Sequence, residues 1–187
     1  MAKNKLGGRN LLFPMPVVLV GTMIDGRANF APVAYVGSHD RKTVSIGVHR
    51  GHATAASILD DKEFSLNIPS VPMVRKVDFT GMKSGANYDK SELFEVFHGT
   101  LENTPMIEKC PVNLECKLTE TIELNNRYVF MGEIVEAWTD DAFLTNGEVD
   151  LSRVDPLLFN INDAAYWRVS DKLGEAWDPG TTLEWEK

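Results

Sequence analysis

The sequence predicts a mainly β domain, an antiparallel barrel with short flanking helices, and three observations carry that prediction. Apolar and β-branched residues recur with period two, as in Glu63-Phe64-Ser65-Leu66-Asn67-Ile68, the spacing that puts alternate side chains on one face of a strand. Asp25-Gly26 separates two strand-like runs, which joins them as a hairpin and leaves no room for the long crossover of a parallel sheet. The helical stretches are short, and many strands with so little helix favour closure, because a closed barrel leaves no exposed edge.

The elements follow in order. Val17-Val18-Leu19-Val20-Gly21-Thr22-Met23 reads as the first strand, Ile24-Asp25-Gly26-Arg27 as a tight turn, and residues 28–36 as the returning strand. Thr43-Val44-Ser45-Ile46-Gly47-Val48 alternates apolar with small polar residues, so three antiparallel strands are expected to open the chain. Residues 52–61 carry helical spacing, with Thr54 placed to cap the first turn and Asp60-Asp61 at the stop. The strand over residues 63–68 ends at Pro69. A second helix over residues 71–78 leads into a polar, Gly-containing loop over residues 80–90. Residues 112–123 and 128–137 read as strands joined through Leu124-Asn125-Asn126-Arg127. From Trp138 the chain is loop-rich, yet Leu157-Leu158-Phe159 and Tyr166-Trp167 imply that this tail packs on the rest.

Length fits one domain over residues 1–187, since one core usually serves about 100–200 residues. With 43% hydrophobic and 25% charged residues the chain is globular in composition, and a net charge of −8 argues against nucleic acid as a partner. The basic start, Lys3, Lys5 and Arg9, lacks the apolar run of a signal peptide, and Val17-Val18-Leu19-Val20 is too short to span a bilayer. A cytoplasmic protein without membrane contact is expected. Cys110 and Cys116 lie six apart in strand-like sequence, beyond disulfide reach at about 3.3 Å per residue, and read as reduced, buried thiols. No second Cys pair or nearby His gives them zinc-site spacing.

Dinucleotide, P-loop, zincin and nucleophile-elbow motifs are absent. Three segments carry candidate chemistry. In Asn29-Phe30-Ala31-Pro32-Val33-Ala34-Tyr35-Val36-Gly37-Ser38, small side chains and a proline open the backbone to a flat ligand; the same residues also suit an edge strand whose proline blocks pairing. In His49-Arg50-Gly51-His52-Ala53-Thr54-Ala55-Ala56-Ser57, a helix start with free N–H groups, the Thr54 hydroxyl and the Arg50 guanidinium suit a phosphate. A capping threonine beside a surface arginine fits equally. Lys83-Ser84-Gly85 with Asp89-Lys90 suits a loop that closes over a ligand, with Lys83 as a mobile charge, or simply a solvated loop. The histidines at 39, 49, 52 and 98 form no recognisable catalytic arrangement, so no catalytic or metal residue is assigned. Glu133, in Gly132-Glu133-Ile134-Val135, fits a pore, an interface or solvent.

Together these segments resemble the flavin reductase-like, FMN-binding split-barrel family, most closely its flavoredoxin branch, over roughly residues 14–174. The matching pieces are Pro14-Met15-Pro16-Val17-Val18-Leu19-Val20, Asn29-Phe30-Ala31-Pro32-Val33-Ala34, Arg50 with Thr54, Glu63-Phe64-Ser65-Leu66-Asn67-Ile68-Pro69, Lys83-Ser84-Gly85 with Asp89-Lys90, and Gly132-Glu133-Ile134-Val135. The resemblance implies a six-stranded antiparallel Greek-key split β-barrel that forms a homodimer with FMN near the interface. It implies that Asn29, Ala31, Pro32, Val33, Ala34 and Ser38 line the isoalloxazine, that Arg50 and Thr54, with Ser57, hold the phosphate, and that Lys83, Ser84 and Lys90 close over the flavin. Two positions depart from the family pattern: Arg127 stands where relatives often carry His, and Ser57 replaces the usual Asn after the phosphate threonine.

The flavin would supply the redox chemistry and the protein its orientation and electrostatics. Backbone N–H groups near residues 33–38 would donate to the ring edge that is negative in the reduced form. Two redox readings follow from the resemblance, an NAD(P)H-dependent flavin oxidoreductase and a flavoredoxin-type carrier fed by a redox protein. A non-catalytic flavin- or haem-binding module on the same barrel is the alternative.

Overall fold

The computed structural model describes residues 3–183. Short β1 (Met15–Pro16) leads into β2 (Val18–Ile24), which turns at Asp25-Gly26 into β3 (Arg27–Val33). Asp25 and Gly26 sit at φ of 50° and 73°, the positive pair that a twisted two-residue hairpin requires. There follow β4 (Val36–Ser38), β5 (Thr43–His49), α1 (Ala53–Asp61), β6 (Glu63–Ile68) and α2 (Val74–Met82). The second half comprises β7 (Val96–Phe97), β8 (Met106–Ile107), the long hairpin β9 (Val112–Glu123) and β10 (Arg127–Thr139), then β11 (Leu144–Thr145), β12 (Glu148–Val149), α3 (Leu151–Val154), β13 (Leu157–Asn160) and β14 (Ala165–Arg168).

The main sheet runs β3-β2-β6-β9-β10-β5-β4, antiparallel throughout. Its two edges, β3 and β4, are consecutive in sequence and separated only by Ala34 and Tyr35. Two residues span so little distance that the seven-stranded sheet must curl until its edges meet, which makes it a split barrel. The six expected strands are present, and the seventh is the three-residue β4. Register shifts between Met131 and Gly132 and between Ile134 and Glu136 add the local bend and twist that help β9 and β10 curl.

Several expectations are corrected. The strand expected over residues 28–36 breaks at Ala34 because the chain there changes edges. β5 accordingly pairs with β10 and β4, not with β3. The second helix begins as a 3-10 turn, Val71–Met73, and continues to Met82, since Val77 and Thr80 bury on one face and the Thr80 hydroxyl returns a 2.6 Å bond to the Val77 carbonyl. The supposedly loop-rich tail contains a hairpin, β13 with β14, that joins β1 in a second sheet.

The sequence of β2 explains how these layers pack. Val18 and Val20 enter the barrel interior with Val44, Ile46, Phe64, Leu66 and Phe130, and α1 plugs that interior with Ala55 and Ile58. Val17, just before β2, and Leu19 face outward beneath α2 and the second sheet, against Phe30, Val77, Ile107 and Leu157. Both faces are therefore covered, and an uninterrupted apolar run results where a one-sided strand would alternate. Cys110 and Cys116 are free and buried, as expected. No helix among the described residues is long and apolar enough to cross a membrane.

Candidate functional site

Where the barrel edges meet, the strands diverge and leave a cavity of about 290 Å³. One wall is the stretch Ala31, Pro32, Val33, Ala34 and Tyr35, leaving β3 for β4. Pro32 lies on an edge strand, so its missing N–H costs no ladder bond. The segment is thus an edge strand and at the same time one wall of the cavity. The second sheet supplies an opposing set, Met15, Phe159 and Tyr166. The Phe159 and Tyr166 rings pack at 5.7 Å between centroids, tilted 59° to each other, and the Tyr166 hydroxyl donates across 3.1 Å to Asp78 of α2. Burial, reinforced by Asp78, pushes the Tyr166 phenol up to about 12.

The remaining side is basic. His49 ends β5, His52 is the residue before α1, and Arg127 begins β10; all three line the cavity, and no carboxylate among the described residues does. The Arg127 guanidinium lies 4.5 Å from the centroid of the Tyr35 ring and donates weakly, at 3.5 Å, to the Gly47 carbonyl. The His49 and His52 rings are 5.3 Å apart, and His49 Nδ1 accepts the Gly51 amide at 3.1 Å. Burial first, then His49, Arg127 and Lys90, hold His52 below the ordinary histidine range.

A second cluster lies behind the first turn of α1. The Asn29 amide nitrogen donates to the hydroxyls of Thr54 at 3.1 Å and Thr22 at 3.3 Å. Its oxygen is buried and has no hydrogen-bond partner among the described residues. That oxygen faces Gly85, where a Cβ would sit 2.1 Å away. Lys90 completes the cluster, 5% exposed, its ammonium donating to the carbonyls of Phe30 at 3.1 Å and Thr80 at 2.8 Å. A void of about 10 Å³ separates these groups.

The structure separates the expected site residues. Ala31, Pro32, Val33 and Ala34 line the cavity; Asn29, Thr54 and Lys90 form the cluster behind it. Thr54 does not cap α1, because its side chain turns inward to Asn29 and His52 occupies the cap position. Arg50 points away, bonded at 3.0 Å to Glu123 and stacked 4.7 Å over Tyr128. Ser57 is spent internally on the Met23 carbonyl and Asp61, and Ser38 is exposed outside the cavity. In the loop after α2, Lys83 lies over the rings of Phe79 and Tyr88, and the Ser84 hydroxyl accepts the Ala86 amide. Glu133 is exposed.

Sequence reasoning left Met15, Phe159 and Tyr166 without a site role; the only signal was that the apolar tail had to pack on something. A wider groove of about 1060 Å³ runs along α3 and the C-terminal segment. Its Asp150 is paired with Arg153 and its Asp155 with Arg168. Among the described residues no group of His, Cys, Asp and Glu is placed to hold a metal.

Comparison with known proteins places this geometry. A solved flavoredoxin from Methanosarcina acetivorans matches with a TM-score of 0.93 at 38% identity, covering 98% of this chain and all 100% of that one. The flavoredoxin of Desulfovibrio vulgaris (Miyazaki F) matches at 0.89 with 31% identity, over 96% and 100% of the two chains. An uncharacterized protein of Archaeoglobus fulgidus is 26% identical over 145 residues, 75% of this chain and 81% of that protein. The model of the flavin reductase like domain matches residues 9–166, and the chain belongs to that family.

Proposed function

We propose that this chain is an FMN-binding redox protein of the flavoredoxin kind, a cytoplasmic homodimer that moves electrons through a flavin held in the cavity at the barrel split. The observation that carries the reading is the cavity itself. Small side chains at residues 31–34 line one wall, Phe159 and Tyr166 contribute the apolar side contributed by the second sheet, and a basic rim suits an anionic cofactor. Its volume, about 290 Å³, falls just short of the usual range of ligand pockets, about 300–1,000 Å³, room for a planar ring system with its tail outside.

Residues 31–34 would pack against the ring, while His49, His52 and Arg127 would face its charge. When bound, FMN accepts a hydride or single electrons; the chain's own residues orient it and shield one face from water. Leu12 and Phe13, 81% and 53% exposed, are separated from cavity-lining Met15 only by Pro14, an apolar flank that a second copy would cover.

Absorbance of the purified protein, before and after anaerobic NADH, tests the reading. A flavin spectrum released as FMN is expected. Continuous NAD(P)H oxidation with added FMN assigns a reductase, and bound FMN without turnover a carrier supplied by a redox protein. A colourless protein that ignores added FMN would overturn the proposal.

A further inference from the structure

Arg127 differs from the paired arginines of the described structure. Arg27, Arg50, Arg153 and Arg168 each meet a carboxylate. Arg127, half-buried in the cavity wall, meets none among the described residues, and its only hydrogen bond is the 3.5 Å contact to Gly47. Tyr35 holds the guanidinium from one side, and His49 and His52 line the same cavity, with no acidic residue among its described lining. A partly desolvated cation of this kind costs free energy unless something negative answers it. Its placement on the cavity shared with residues 31–34 puts the missing charge on the ligand.

We propose that Arg127, steadied by Tyr35, supplies the positive charge that balances the negative charge of reduced flavin and thereby sets the reduction potential of the bound cofactor. The inference rests on the FMN reading above. Reduction by two electrons and one proton, delivered as a hydride or by dithionite with a solvent proton, turns the neutral oxidised ring into a monoanion. Arg127 is charged before and after, so it favours the product of that step over the reactant. Flavin phosphate is a second source of negative charge, and it is present in both oxidation states.

The test measures the midpoint potential of bound FMN against a reference dye, together with the affinities of oxidised FMN and oxidised riboflavin. The wild-type protein, Arg127→Leu, Arg127→Lys and Arg153→Leu are compared, the last removing the same charge away from the cavity. Arg127→Leu is expected to weaken reduced FMN about tenfold relative to oxidised FMN, which lowers the two-electron potential by about 30 mV. Arg127→Lys should restore most of the potential, and Arg153→Leu should leave it unchanged. If Arg127→Leu does not fold, Arg127→Gln carries the same expectation. An unchanged potential in a folded, FMN-loaded variant overturns the proposal. So does a selective loss of oxidised FMN with riboflavin binding intact, which assigns Arg127 to the phosphate. Failure of the wild-type protein to take up FMN would instead remove the FMN reading and this inference with it.

Discussion

The Asn29 amide and the Thr54 hydroxyl, 3.1 Å apart, tie the edge strand β3 to the first turn of α1. This bond couples the two segments that flank the cavity, and it keeps the Thr54 side chain from capping its own helix. Thr54→Val removes the better of the two acceptors of a buried amide, leaving only the 3.3 Å contact to Thr22. A loss of about 1–2 kcal/mol is expected, measured by urea denaturation, with weaker FMN binding read by flavin fluorescence quenching.

Gly85→Ala attacks the same tie from the other side. The added methyl would lie 2.1 Å from the Asn29 oxygen, and Asn29 cannot yield without giving up Thr54 and Thr22. The variant should be destabilised by about 1–3 kcal/mol, and the loss should be less than additive with Thr54→Val, because both act through Asn29. A double-mutant cycle checks this.

Lys90 gives the protein an alkaline signature. Burial pushes its ammonium down to about 8 from the usual 10.5. Between those values the unfolded chain binds a proton that the folded chain has released, so stability rises with pH across the window and is lost as pH falls back through about 8. Lys90→Met should abolish that slope in denaturation curves taken from pH 7 to 10, and should leave the carbonyls of Phe30 and Thr80 without their donor.

Glu115 governs the acid limb. It is completely buried and accepts four charge-assisted bonds, from the Thr100 and Leu101 amides, the Thr104 hydroxyl and the Trp138 indole, at 2.8 to 2.9 Å. Burial alone would raise its carboxyl, but these donors, led by Thr100 and Leu101, outweigh it and hold the group below 4.5. The stabilisation is present above that value and is lost as pH falls through the lowered one. Glu115→Gln should cost about 2–3 kcal/mol at neutral pH and flatten the acid limb of a thermal-melt series.

Both thiols should be silent in the native protein. Burial raises Cys110, and burial with Glu115 pushes Cys116 up to about 12, which suppresses the reactive thiolate. A chromogenic thiol reagent at mildly alkaline pH is expected to modify neither until denaturant is added.

Local patterning made much of the fold readable. The Asp25-Gly26 turn, the period-two run over residues 63–68 and the hairpin of residues 112–137 are decided by neighbours in sequence, so their alternation and turn chemistry suffice. The open stretch of backbone at residues 31–34, which lines the cavity, was readable for the same reason, since small side chains open a backbone wherever the strand is placed. Arg50 and Ser57 were not readable: Glu123 and Met23, which engage them, are remote in sequence, and a helix start looks the same with its arginine turned in or out. The membership of Phe159 and Tyr166 was equally hidden, because their strands are short and acquire a role only by pairing back to β1.

The sequence by itself determined a mainly β chain with short helices, buried thiols and a segment suited to a flat ligand, because period, turn residues and side-chain size act over a few residues. Only the tertiary structure decided where the cavity lies and which charges face it. Residues 34 and 35 join the two edges of one sheet, and that closure gathers Met15, Tyr35, His52, Arg127 and Tyr166 around one space. Such a gathering depends on strand order across the whole chain, a long-range property that no local pattern encodes.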